Sequence, residues 1–279
     1  LAENQHSGTA VWSQSPCVHR VKCGQIPQPS VTIPLPWATD SLAVEFPRGD
    51  IAMGFSGPSQ DQKEPIGQQP LTGVRVLDLS GPMGVYCGKL MADMGADVIK
   101  VEPPGGDPMR EMGPFIPDGV NGVNSEKSLN WLHFNTNKRS ITLDIAVPQG
   151  AELLSKISRQ AGVVLETFSP GYLDNLGLGY SHLLQGNPGL IYASLTPFGQ
   201  TGPYRDFKAT DLTGFAMGGY MYVTGRPETP PTRLWGSQAY HTTSNRAFIA
   251  ILLALYHRMA TGEGQYIDVS MQEAVAATT

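Results

Sequence analysis

Few residues of this chain have the type and spacing to do chemistry. Ser80-Gly-Pro-Met-Gly84 is a glycine-bearing turn after an apolar run, a place where a nucleotide can sit, but the full G-x-G-x-x-G spacing is absent and a plain tight turn accounts for it. Asn137-Lys-Arg139 precedes another apolar run and offers either cations to phosphate groups or a solvated basic turn. Lys208 and Asp211 flank a helix start, where Asp211 also fits a favourable charge at the positive end of the helix dipole. His241 follows Tyr240 at the head of a long apolar segment, a setting in which a lone histidine is more often structural; His133, His182 and His257 read as core or surface residues. Neither G-x-S-x-G nor H-E-x-x-H occurs. Cys17, Cys23 and Cys87 are an odd set at irregular spacing, so neither a disulfide framework nor a metal site is expected, and the thiols read as free in a reducing cytoplasm.

The elements that must position these residues alternate along the chain. Val74–Leu79 is a β-branched-rich strand, Val85–Met94 a helix closed by Gly95, and Asp97–Glu102 a second strand; strand, helix and strand in so short a stretch make a βαβ unit with a right-handed crossover. Ser140–Asp144, Gly162–Glu166, Leu190–Ser194 and Tyr266–Ser270 are further strands. Between them helices are expected over Val147–Ala161, Tyr172–Leu176, Tyr180–Gln185 and Thr210–Val223. A long one runs from a Ser237 cap to about Ala260, and another begins at Met271. This alternation predicts an open α/β parallel sheet. Ligands of such sheets bind at the strands' C-terminal ends, which brings Ser80–Gly84, Pro103–Arg110, Thr167–Gly171 and Thr196–Tyr204 near one another.

The chain has 279 residues, 41% of them hydrophobic and 15% charged, with a net charge of −5. A mildly acidic chain does not suit nucleic acid or an anionic membrane surface as its main partner. The longest apolar run, Ala247–Tyr256, falls short of the roughly 18 residues of a membrane span. Residues 1–70 are rich in Pro, Gln, Ser and Gly without helical or strand period, and are expected to form a poorly structured N-terminal extension.

From Leu71 onward the sequence resembles class III (CaiB/BaiF-type) coenzyme A transferases. The blocks that carry the likeness are Leu71-Thr-Gly-Val-Arg-Val-Leu-Asp-Leu79, Leu90-Met-Ala-Asp-Met-Gly-Ala-Asp-Val-Ile-Lys-Val-Glu-Pro-Pro-Gly-Gly-Asp107, Asn135-Thr-Asn-Lys-Arg-Ser-Ile-Thr-Leu-Asp144, Glu166-Thr-Phe-Ser-Pro-Gly171, Phe198-Gly-Gln-Thr-Gly-Pro-Tyr204 and Thr261-Gly-Glu-Gly-Gln-Tyr-Ile-Asp-Val-Ser270, in family order. The resemblance implies a Rossmann-like large domain, with residues 71–279 as its N-terminal portion and a second domain not reached. It also implies an interlocked dimer and CoA, as acyl-CoA, exchanged with a carboxylic acid through an aspartyl anhydride and an enzyme–CoA thioester. Carried across by residue, Leu143, Phe168 and Lys208 match CoA-contacting positions and Thr167 replaces an asparagine there. Asp211 matches an acidic or polar position near the reacting centre, and Pro103 stands where an adenine-flanking arginine is common.

One departure bears on chemistry. The family aspartate lies between a Pro-Pro pair and a helix ending in His-Arg; Pro230-Pro231 and His257-Arg258 fix both ends here, and the matching residue is Tyr240. A phenol has no carbonyl carbon and cannot become an acyl-CoA thioester, and no Asp or Glu lies between Glu228 and Glu263. The expected role is therefore a non-catalytic half or subunit, paired as a homo- or heterodimer with an aspartate-bearing family partner. The alternatives are an isomerase or lyase on CoA esters using Tyr240, His241 or Asp211 as acid or base, and a CoA-ester binding module without activity. The racemase branch fits poorly, because Thr210 occupies its usual histidine position.

Overall fold

The computed structural model describes residues 69–116 and 125–279. The extension expected over residues 1–70 falls almost wholly outside them.

Strands β1 (Arg75–Leu79), β2 (Asp97–Glu102), β3 (Arg139–Thr142), β4 (Val163–Glu166), β5 (Ile191–Thr196) and β6 (Tyr266–Ser270) form a six-stranded sheet in the order β3-β2-β1-β4-β5-β6. Every pair is parallel, with Val76 opposite both Val98 and Val163. The order grows outward from β1 to β3, then returns to place β4 on the other side of β1, so the strand order reverses between β1 and β4. That reversal opens a crevice at the C-terminal ends of these two strands.

Helices cover both faces: α1 (Val85–Asp93), α2 (Leu129–Phe134), α3 (Pro148–Ser158), α4 (Tyr172–Asn175), α5 (Tyr180–Gly186), α6 (Asp211–Met217), α7 (Tyr220–Val223), α8 (Gln238–Thr261) and α9 (Met271–Ala276). Successive strand residues point to opposite faces. Val76, Val98, Val163, Ile191 and Leu195 therefore meet Cys87 and Met91 of α1 and Ala247 and Ile251 of α8, while Leu77, Val101, Val164 and Tyr192 meet Leu154 of α3 and Leu183 of α5. With both faces covered, the strands read as near-continuous apolar runs. Each fully buried aliphatic side chain such as Leu165 or Ile251 contributes about 1.5–3 kcal/mol.

The expected elements fall in place with local corrections. β3 starts one residue early and ends at Thr142, although the Leu143 N–H still bonds to Glu102 O at 2.8 Å. The helix expected over Thr210–Val223 breaks at Gly218–Gly219, where Gly219 adopts φ 86°, separating α6 from α7. Ser237 precedes α8, but its side chain makes no capping hydrogen bond. α2 went unread in the sequence; Ser128 starts it by accepting the Trp131 N–H.

Candidate functional site

Two cavities open at the strands' C-terminal edge and share Pro82, Thr167 and Phe168. The first, of about 370 Å³, is lined by the Ser80–Pro82 turn, Lys100, Pro103, Asp107 and Leu143. The second, of about 560 Å³, is lined by Met83, Pro197, Arg205, Lys208 and Tyr240. The loops grouped by position in the sequence thus do converge.

The shared wall is built by the crevice itself. Thr167 follows β4, and its hydroxyl accepts the Gly81 N–H at 2.7 Å, tying the β4 loop to the β1 turn. That turn must stay compact: a Cβ on Gly84 would lie 2.6 Å from Ser80 Cβ. Phe168 stacks on Tyr172 with centroids 4.9 Å apart, and its N–H donates to Glu166 Oε2 at 2.7 Å.

A buried ionic network supports the first cavity. Lys100, 1% exposed, reaches Asp107 Oδ2 at 3.1 Å and Asp78 Oδ1 at 3.9 Å and donates to the Ser80 carbonyl. Lys138 donates to Asp78 Oδ2 at 2.8 Å and to Val85 O at 2.9 Å. Burial raises the Asp78 carboxyl, but Lys138 and Lys100 outweigh it and hold it below the ordinary carboxylate range. Arg139 pairs with Asp97 at 2.6 Å, and Asn137 donates to Asp93. Of the Asn137–Arg139 segment, expected either to meet phosphate or to be a solvated turn, Asn137 at its turn and Arg139 at the start of β3 are exposed, while Lys138 is spent on the buried Asp78 pair. Lys100 was the missed residue; a lysine inside an otherwise apolar buried strand was the available signal.

Tyr240 and Asp211 are brought together. Asp211, 9% exposed, begins α6 and accepts the Tyr240 N–H on Oδ1 at 3.1 Å; Arg233 lies 3.7 Å from Oδ2. Asp211 thereby does for the start of α8 what Ser237 does not. Burial, reinforced by the Asp211 charge, pushes the Tyr240 phenol above its ordinary value, so it stays protonated at neutral pH. His241 lines neither cavity. It packs against the rings of Tyr86 and Phe134, 5.3 and 5.4 Å away, and burial lowers its pKa despite the Asp211 charge. His182 and His133 are exposed, and the His257 ring makes a hydrogen-bond contact with Thr261 of its own helix.

A smaller cavity of about 240 Å³ lies beyond, lined by Glu166, Asp174, Tyr180, Tyr192, Gln200 and Tyr266. Burial, aided by the Asp174 and Asp268 charges, pushes the Glu166 carboxyl up to about 7 against hydrogen bonds from Ser194 and the Phe168 N–H. Among the described residues no three metal-ligating side chains gather, and no helix is long and apolar enough to cross a membrane.

The sequence profile of CoA-transferase family III matches residues 71–279. Succinyl-CoA–D-citramalate CoA-transferase of Chloroflexus aurantiacus is 44% identical over 211 residues, covering 75% of this chain and 51% of that protein. Succinyl-CoA:(R)-benzylsuccinate CoA-transferase subunit BbsE of Thauera aromatica is 38% identical over 208 residues, covering 75% and 50%. The crystal structure of a CAIB/BAIF family protein from Brucella suis superposes with a TM-score of 0.70 at 39% identity, covering 75% of this chain and 55% of that one. The chain spans about half the length of the curated relatives it matches. Profile, relatives and parallel fold agree: this chain belongs to CoA-transferase family III.

Proposed function

We propose that the chain is a non-catalytic half or subunit of a CoA transferase, binding an acyl-CoA while an aspartate-bearing family partner supplies the nucleophile for exchange with a carboxylic acid. The observation that carries this reading is Tyr240 lining the cavity that also holds Phe168 and Lys208. The side chain at the nucleophile's matched position faces the site but has no carbonyl to acylate. Asp206 also borders that cavity, but its side chain is 82% exposed, in water that would hydrolyse an anhydride. The first cavity, with Leu143 and Pro103, suits the nucleotide part of CoA, and Thr167 and Phe168 form the wall between that part and the acyl end. The Thauera relative is itself a transferase subunit, which supports a partnered arrangement. A cytoplasmic setting with Cys87 free and buried is consistent with it.

Acid–base chemistry on CoA esters has less support. Tyr240 holds its proton, Asp211 is engaged by the α8 backbone, and His241 lies away from both cavities.

Mass spectrometry after incubation with acetyl-CoA, succinyl-CoA and other esters tests the reading. No covalent CoA or acyl adduct is expected on the chain alone, and CoA exchange is expected only with a partner. An adduct mapped to any residue, Asp206 included, sinks the non-catalytic assignment. In calorimetry Lys208→Ala should lower CoA affinity by about tenfold if that lysine meets an anionic group.

A further inference from the structure

The cavity at Tyr240 is lined by a second cation, Arg205, which the family blocks do not single out. The Arg205 side chain is 42% exposed, but its Nε is buried and has no hydrogen-bond partner among the described residues. Its ion pair is a 4.0 Å contact with the adjacent Asp206, whose side chain is 82% exposed. A guanidinium carries five donors in a planar fork, and a buried donor left unpaired on a charged group is costly. The guanidinium is seated against the Pro170–Gly171 turn: a Cβ built on Gly171 would lie 3.4 Å from Nη2. So the loop after β5 holds a partly exposed guanidinium over the loop after β4, at a cavity that Lys208 also borders.

We propose that Arg205, with Lys208, forms an oxyanion subsite beside Tyr240, taking either a carboxylate carried on the acyl group of a CoA ester or a phosphate of CoA itself. The inference rests on the CoA-ester reading above. The fork of Arg205 matches two oxygens of a carboxylate or phosphate, and Lys208 adds a point charge. A neutral acyl chain would meet neither need. If the anion is the acyl carboxylate, Arg205 selects dicarboxylic acyl groups; if it is a phosphate, Arg205 holds the coenzyme whatever its acyl group.

Calorimetry with CoA, acetyl-CoA and succinyl-CoA separates these sources, using the wild type, Arg205→Gln, Arg205→Lys and the remote surface variant Lys156→Gln. For an acyl carboxylate, Arg205→Gln weakens succinyl-CoA by about tenfold or more and changes acetyl-CoA by less than about twofold. For a phosphate, it weakens all three alike by about tenfold. In either case Arg205→Lys retains part of the affinity and Lys156→Gln retains all of it. Thermal melts establish that each variant is folded, and should Arg205→Gln not fold, Arg205→Lys carries the same comparison with a smaller loss. Unchanged binding of all three ligands by folded Arg205 variants overturns the subsite and leaves the CoA-ester reading standing. Failure of the wild type to bind any of the three overturns both.

Discussion

Asp211 Oδ1 accepts the backbone N–H of Tyr240 at 3.1 Å, so the first residue of α6 caps the first turn of α8. The contact ties the start of α8 to the start of α6 and satisfies an N–H that has no partner within its own helix. Asp211→Ala should therefore lower stability by about 1–2 kcal/mol, with Asp211→Asn losing less because its amide oxygen can still accept. Urea unfolding midpoints check this; equal midpoints for the wild type and Asp211→Ala would remove the capping role.

Gly88 sits inside α1, where helix propensity favours alanine by about 1 kcal/mol. Packing reverses that preference: a Cβ at Gly88 would lie 2.4 Å from Asp78 Oδ2, and Asp78 is held by Lys138 at 2.8 Å. Gly88→Ala is expected to destabilise by about 2 kcal/mol or more through displacement of that buried pair. A rise in melting temperature would show that the Asp78–Lys138 contact yields easily.

Thr167→Val keeps the shape of the wall between the cavities and removes the acceptor for the Gly81 N–H. The expected cost is about 1–2 kcal/mol of stability, together with weaker CoA binding as the β1 turn loosens. Denaturation and calorimetry on the same variant check both; loss of stability with unchanged CoA affinity would separate the turn from the ligand.

Glu166 gives a pH dependence of defined sign. Burial raises its carboxyl to about 7 in the fold, above the ordinary 4.5, so the folded chain binds the extra proton between those values. Its contribution is fully present below about pH 4.5 and declines as pH rises through about 7, by about 3 kcal/mol at most. Glu102 acts oppositely. Burial raises it, but hydrogen bonds from Arg110, Ser140 and the Asp107 N–H hold it down to about 2, so its contribution is lost as pH falls from about 4.5 toward 2. Glu166→Gln should flatten the fall in wild-type stability between about pH 5 and pH 8. Chemical denaturation at both ends of that range tests it; an identical slope in the variant would mean that Glu166 is ionised throughout.

Hydrophobic period and turn chemistry along the chain determined the strands, most helices and the parallel α/β class. These depend on neighbours a few residues apart and on the coverage of both sheet faces, which leaves a local mark such as Val163–Glu166. The family blocks and the tyrosine at position 240 were likewise legible, because they are statements about residue order. Tertiary structure decided what each polar residue touches. Lys138 read either as a cation for phosphate or as part of a solvated basic turn until the fold placed it 2.8 Å from Asp78, 60 residues away. Asp211 and Tyr240, 29 residues apart, became a helix cap, while His241, adjacent to Tyr240, turned away toward Tyr86 and Phe134. Arg205 acquired its unmet donor only once the β4 and β5 loops were side by side. Pairings of this kind depend on loop closure across the sheet, and sequence spacing carries no record of them.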